Sequence, residues 1–331
     1  NARILLLDEP SSVLSPSETE TFLTLVQRLR ARGVSSVLIT HKLAEALAVA
    51  TRVTVLRRGG VVHTGPIKGL TPALLTGFML AEAGPPPEPR GLPAAGEVRA
   101  RMDAVSILRI GASGSGLQLA TFTARGGEIV GIAAVEGNGQ REFLRALVGL
   151  AKPHGGTLEV SRPVSFIPED RTTEGLISEL SVAENLVLSQ GRSAPWVNGP
   201  WIDWPAATAR SQQLIEAYGV RAAGPGATAS SLSGGNQQRL IIAAALERRP
   251  KVIVAENPTR GLDLRATAEV HQRLRDAARH GVAVIVHLAD LDELLKLADR
   301  IAVLASGILV ELPPGTDRDL IGRHLLGGGS A

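Results

Sequence analysis

Short apolar runs alternate with longer amphipathic stretches along most of this chain. Residues 4–7 are an unbroken apolar run, which predicts a strand buried on both faces. Residues 105–110, 117–123, 128–134, 164–167, 251–255 and 282–286 are predicted strands, by apolar runs or by alternation. Residues 141–150 carry a stripe through Phe143, Leu144, Leu147 and Val148, the spacing of one apolar helix face. Residues 181–190, 205–218, 235–248, 266–279 and 291–298 are further predicted helices. Ser181 and Glu184 stand at capping-box spacing, and Gly281 stops the helix before it. Residues 301–310 predict a hairpin turning at Ser306-Gly307. Strands without alternation, separated by helices, imply an α/β fold with a largely parallel sheet covered on both faces.

The pattern also repeats. A shift of 248 positions carries Pro10 onto Pro258, Leu14 onto Leu262, Gly33 onto Gly281, Glu45 onto Glu293, Arg52 onto Arg300 and Val55 onto Val303 without a gap. A period this long means duplicated domains rather than a solenoid. The second copy has a long stretch before its matching region, and the first has no counterpart to it. Residues 1–83 are therefore expected to be the C-terminal part of a first domain, and the chain a fragment of a longer protein. Residues 84–96 are rich in Pro and Gly and predict a short, stiff linker. Residues 97–331 are expected to be the second domain, with a helical subdomain over about 170–249.

Composition narrows the chemistry. Aromatics are 3% of the chain, so the core must be aliphatic. There is no cysteine, which excludes disulfides, zinc–thiolate sites and cysteine nucleophiles. A net charge of +3 with scattered Lys and Arg lacks the clustered footprint of a nucleic-acid binder. No run of 18 apolar residues occurs, so nothing in the sequence predicts a membrane-spanning helix.

The sharpest local pattern is Leu232-Ser-Gly-Gly-Asn-Gln-Gln-Arg239 at the start of a predicted helix. Ser233, Gly234, Gly235 and Asn236 could receive a phosphate there, because glycines permit close approach and free N–H groups attract anions. The same residues could be an ordinary Ser-Gly-Gly capping turn. Asp8 ends the first apolar strand and Glu9 follows it. A carboxylate at that end of a strand faces the ligand crevice of an open α/β sheet. Asp8 could hold a Mg²⁺ through water, and Glu9 could polarise an attacking water. Alternatively, both begin a solvated loop.

These residues resemble a known family. LSGGNQQR (residues 232–239) resembles the signature motif of ABC ATPases, ILLLDEP (4–10) their Walker B strand, and Ile39-Thr40-His41 their switch-histidine loop. IPEDRTTEGL (167–176), SVAENLVL (181–188) and NPTRGLD (257–263) are similar to the second half of tandem-domain ATPases of importers for simple sugars or nucleosides. The resemblance implies a P-loop NTPase (RecA-like) ABC ATPase core with a helical subdomain, duplicated, its first copy incomplete. It implies ATP and Mg²⁺ as cofactors, with Asp8 on the metal, Glu9 as general base and His41 on the γ-phosphate. In such a protein this site faces 233–236 of the second copy. Integral membrane permease subunits and, indirectly, an extracytoplasmic substrate-binding protein would be the partners. The protein would sit peripherally on the cytoplasmic face of the membrane, with no nucleic-acid partner.

The second copy departs from the pattern. A Walker A loop reads G-x-x-x-x-G-K-[ST]. Here Ala134-Val-Glu-Gly-Asn-Gly139-Gln140-Arg141 stands in its place. Gly137, Asn138 and Gly139 would line the loop, with Gln140 in place of lysine and Arg141 in place of the hydroxyl residue. Read without the family, it is a Gly-rich strand-to-helix turn. By the repeat, Glu256 matches Asp8, Asn257 matches Glu9 and Ala289 matches His41. A carboxamide cannot act as a general base, so this second site is expected to be degenerate. Glu169 stands where the family has Gln, and His287 reads as a core or strand-end histidine. Residues 1–331 alone are expected to show no appreciable ATPase activity. The alternative is a soluble tandem ABC ATPase acting on the ribosome or nucleic acid, against which the nearly uncharged, proline-rich linker speaks. A non-enzymatic regulatory fragment is a third possibility. Sugar and nucleoside both stay open as the substrate, with VEGNGQ (135–140) leaning to nucleosides.

Overall fold

The structure, a computed structural model, describes residues 3–8, 10–11, 16–40, 42–57, 60–80, 96–110, 115–191, 194–313, 315–316 and 318–325. The linker expected at 84–96 lies outside the described residues except for Gly96. Two compact units divide the chain, one mostly its part up to Pro89 and the other mostly its part from Arg90 onward.

In the first unit, β1 (Ile4–Asp8) pairs in parallel with β2 (Ser35–Ile39) through the crossover helix α1 (Pro16–Ala31). Then come α2 (Leu43–Val49), the antiparallel pair β3 (Arg52–Arg57) and β4 (Gly60–Pro66), and α3 (Pro72–Leu80). Val26, Val49, Val55 and Leu75 are its buried apolar side chains. The strand predicted at 4–7 forms, but it is not buried on both faces. Ile4 is 65% and Leu6 75% exposed, because β1 pairs only with β2 among the described residues.

The second unit opens with β5 (Val98–Ile107), β6 (Leu117–Arg125), β7 (Ile129–Ala134) and α4 (Gln140–Val148). It continues through β8 (Gly155–Val160), β9 (Val164–Ile167), a π-helical turn at Arg171–Gly175, α5 (Val182–Gln190), the short hairpin β10 (Val197–Asn198) and β11 (Trp201–Ile202), and α6 (Trp204–Ala217). It ends with α7 (Gly234–Glu247), β12 (Val252–Glu256), α8 (Leu264–Arg279), β13 (Ala283–His287), α9 (Leu291–Leu297), β14 (Arg300–Ala305), β15 (Ile308–Glu311) and α10 (Arg318–Leu325).

Six strands form the central sheet in the order β15-β14-β7-β13-β12-β9. All neighbours are parallel except the edge hairpin β14–β15. The central strands are apolar over most of their length because both faces are covered. Ile129, Ile253, Ala255, Val284 and Val286 face one apolar cluster with α5 to α10. Val130, Ile132, Val252, Val254 and Ile285 face another, built with β5, β6 and α4. Gly131 stands in β7 where β14 and α9 crowd it: a Cβ there would lie 2.6 Å from Ile301 Cδ1 and 3.0 Å from Leu294 Cδ1. The expected parallel sheet is accompanied by a separate antiparallel one, β6-β5-β8, which apolar runs alone did not predict.

Candidate functional site

The carboxyl end of the central sheet gathers the loop 135–139, Glu256 and Asn257. β7 passes through residues 135–139 into α4, the strand-turn-helix order of a phosphate-binding loop. Gly137 (φ 84°) and Gly139 (φ 99°) take left-handed conformations that glycine adopts without strain. The loop is fastened at both sides. Ser115 N donates to Gly137 O at 2.7 Å and Gly307 N to Asn138 O at 3.0 Å, while Ser306 N donates to Asn138 Oδ1 at 3.2 Å. Gln140 is 3% exposed, and its Oε1 accepts from Asn138 N at 3.1 Å. Where a lysine would reach for phosphate, a carboxamide closes the loop on itself.

Beside the loop runs a chain of charges. Arg141 meets Glu174 at 3.2 Å, Arg145 meets the same Glu174 at 2.5 Å, and Arg145 reaches Glu256 at 3.1 Å. The Arg145 guanidinium also stacks 4.6 Å above the Phe166 ring. Burial pushes the Glu256 carboxyl above its usual range, with Arg145 pulling the other way. Ile110, Leu150 and Phe166 join Arg141, Arg145 and Glu174 around a cavity of about 390 Å³. This donor set does not suit a divalent cation. Arg141 is a cation where a hydroxyl ligand is expected, and Glu256 already has a counter-ion. Among the described residues, no three His, Cys, Asp or Glu side chains gather as metal ligands.

Asn257 follows β12 with φ 42°, a conformation Asn tolerates better than most residues. Its Oδ1 accepts from Ala289 N at 2.7 Å and its Nδ2 donates to Glu169 Oε2 at 2.9 Å. Arg260 pairs with the other oxygen of Glu169. A carboxamide can bridge this way because it offers both donor and acceptor. Glu169, of unassigned role in the sequence, is thus tied to the segment after β12. His287 is 4% exposed, and its Nδ1 lies 2.9 Å from Ile132 O. Burial lowers its pKa, so it is a neutral core histidine, as its place on a strand suggested.

Ser233 caps α7 in extended conformation. Its Oγ accepts from Asn236 Nδ2 at 2.9 Å, and Asn236 Oδ1 accepts from Arg221 N at 2.9 Å. The glycines at 234 and 235 begin the helix, where the first N–H groups have no intrahelical acceptor. Arg171 donates to Gly234 O at 3.4 Å and to Arg260 O at 3.3 Å. Sequence reasoning missed Arg171 and Arg145. Arg145 lies beside the apolar stripe of α4, where nothing in the sequence marks it as buried.

In the first unit, Asp8 ends β1 opposite Ile39 of β2. Glu9 and His41 lie outside the described residues. Lys42 Nζ donates to Ser11 O at 3.1 Å and Ser11 Oγ to Glu45 Oε2 at 2.8 Å.

Residues 117–260 match the sequence profile of the family described as ABC transporter. The nucleoside import ATP-binding protein NupA of Lactococcus lactis is 36% identical over 345 residues, covering 99% of this chain and 68% of the relative. The glucose import ATP-binding protein TsgD13 of Haloferax volcanii is 37% identical over 349 residues, covering 99% of this chain but only 63% of the relative. Among solved structures, the ATP-binding cassette MJ0796 bound to ADP and Pi aligns with a TM-score of 0.55 at 22% identity, over 65% of this chain and 99% of that one. The archaeal ribosome recycling factor aABCE1, in complex with the stalk protein aP1, aligns with a TM-score of 0.71 at 20% identity, over 99% of this chain and 63% of that one. At these identities the two structures share the fold.

Proposed function

The chain belongs to the ATP-binding family of ABC transporters, and from that premise we propose that it serves an importer of simple sugars or nucleosides as its ATP-hydrolysing subunit. Two nucleotide sites of unequal competence make up the proposal. Asp8, Glu9 and His41 serve the competent one, completed by Ser233, Gly234, Gly235 and Asn236. Asp8 holds Mg²⁺ through water, Glu9 takes the proton of the attacking water, and His41 meets the γ-phosphate. Gln140, Arg141, Glu256, Asn257 and Ala289 belong to the degenerate one.

The order of elements supports a duplication. β1, α1, β2, α2, β3 and β4 each begin 248 residues before β12, α8, β13, α9, β14 and β15. β1 meets β2 in the register in which β12 meets β13. By that correspondence Glu256 answers to Asp8, Asn257 to Glu9 and Ala289 to His41. The observation that carries the asymmetry is the buried Arg145–Glu256 pair. It gives the second carboxylate a protein cation in place of a metal ion.

Integral membrane permease subunits and an extracytoplasmic binding protein are the proposed partners. Residues 169–188 are the proposed contact with the permease, on the cytoplasmic face of the membrane. Uptake of labelled nucleosides and of labelled pentoses and hexoses by cells lacking this protein tests the reading. Loss of one class, restored by the intact gene, is expected. Unchanged uptake of all of them would overturn it in favour of a soluble ATPase.

A further inference from the structure

The turn at Arg171–Gly175 lies against α7 at two places. At its end, a Cβ on Gly175 would fall 2.6 Å from Ile241 Cδ1, so the turn sits closely on the body of the helix. At its beginning, Arg171 Nη1 donates to Gly234 O at 3.4 Å and to Arg260 O at 3.3 Å. The first carbonyl opens α7, and the second belongs to the segment after β12. Glu169, just before the turn, holds the guanidinium of the same Arg260. Two residues of one short stretch thus grip Arg260 by its side chain and by its backbone.

Arg171 differs from the arginines around it. Arg141, Arg145 and Arg260 each meet a carboxylate. Arg171 has two backbone carbonyls and, among the described residues, no ion pair. Its Nη2 stands beside two glycines, 3.3 Å from a Cβ built on Gly234 and 3.6 Å from one built on Gly261. The turn itself is closed by Asp170, which accepts from Thr172 N and Thr173 N, and gives Arg171 no reason to reach across. A cation at a helix start does not help the helix, whose dipole is positive at that end. The same charge favours an anion that arrives there.

We propose that Arg171 is a positioning residue of the competent ATP site. It fixes the start of α7 against residues 257–262, in the place from which residues 233–236 meet phosphate. This rests on the reading given above that those residues complete an ATP site.

Hydrogen exchange of the intact protein tests the positioning with no need for transport. The amides of Asn236 and Gln237 donate to Ser233 O at 2.8 and 2.9 Å. In Arg171→Met they should exchange about tenfold faster, while the amides of β12 and β13 keep their parent rates. No change at 236 and 237, or an equal rise in β12 and β13, overturns the proposal. Steady-state ATP hydrolysis by the assembled transporter reads the consequence. Arg171→Met should lower kcat about tenfold and leave KM for ATP within about threefold of the parent, because the contact acts when the site closes. A rise in KM with kcat unchanged overturns the proposal as well. A parent transporter that hydrolyses no ATP would instead sink the functional reading, and the exchange rates would still decide whether Arg171 holds the helix start.

Discussion

Arg145 Nη1 lies 3.1 Å from Glu256 Oε2, and each side chain is 9% exposed. Such a pair is costly to break, because the partner left behind keeps its charge without water around it. Arg145→Met is expected to destabilise the protein by about 3–5 kcal/mol. The double variant Arg145→Met/Glu256→Gln should recover much of that loss, since the half-buried Glu174 keeps Arg141 as a partner and the deeply buried carboxylate is gone. The sign with pH follows from Glu256, whose pKa is already raised by burial. Without Arg145 the folded state favours the protonated carboxyl still more, so the deficit grows as pH rises and shrinks as pH falls. Urea unfolding of both variants across pH checks this. A double variant no more stable than the single one would contradict it.

Asp170 caps the turn at Arg171–Gly175, accepting from Thr172 N at 3.0 Å and Thr173 N at 3.1 Å. Hydrogen bonds from the side chains of Thr173 and Thr172, and after them from these two backbone N–H groups, lower its pKa from 3.8 to about 2. A depressed carboxylate pKa contributes stability above the unfolded value, and that contribution is lost as pH falls through the folded one. The cap should therefore hold above pH about 4 and loosen progressively toward pH about 2. Carboxyl-carbon NMR of Asp170 should titrate near 2, whereas a midpoint near 3.8 would mean that the cap does not form.

Among the described residues, no helix is long and apolar enough to cross a membrane. If the protein is held by permease subunits, alkaline wash should release it from isolated membranes. Retention like that of an integral protein would count against the proposed attachment.

Much of the fold was legible because local chemistry and tertiary packing agree. Ser181 and Glu184 form the capping box that their spacing predicted. Ser306 (φ 49°) and Gly307 (φ 84°) turn the predicted hairpin. β8 was not legible, since it opens on two glycines and is only half-buried. In the second unit the places of Asn257 and Ala289 just after β12 and β13 were legible, but their bonds were not. Asn257 and Ala289 could be aligned with Glu9 and His41 by the repeat alone. That Asn257 would tie Ala289 to Glu169 depends on strand ends far apart in sequence, which β9, β12 and β13 bring together. Arg145 was overlooked because a helix tolerates arginine anywhere, and only packing against Phe166 and Glu256 reveals its burial.

Steady-state phosphate release by the assembled transporter, comparing Glu9→Gln with Asn257→Ala, tests the inequality of the two sites most directly. Glu9→Gln removes the proposed general base and should slow turnover by about 10²–10⁴. Asn257→Ala removes two hydrogen bonds but no base, so turnover should stay within about threefold of the parent. Equal damage from the two substitutions would show the sites to be equivalent and would contradict the account.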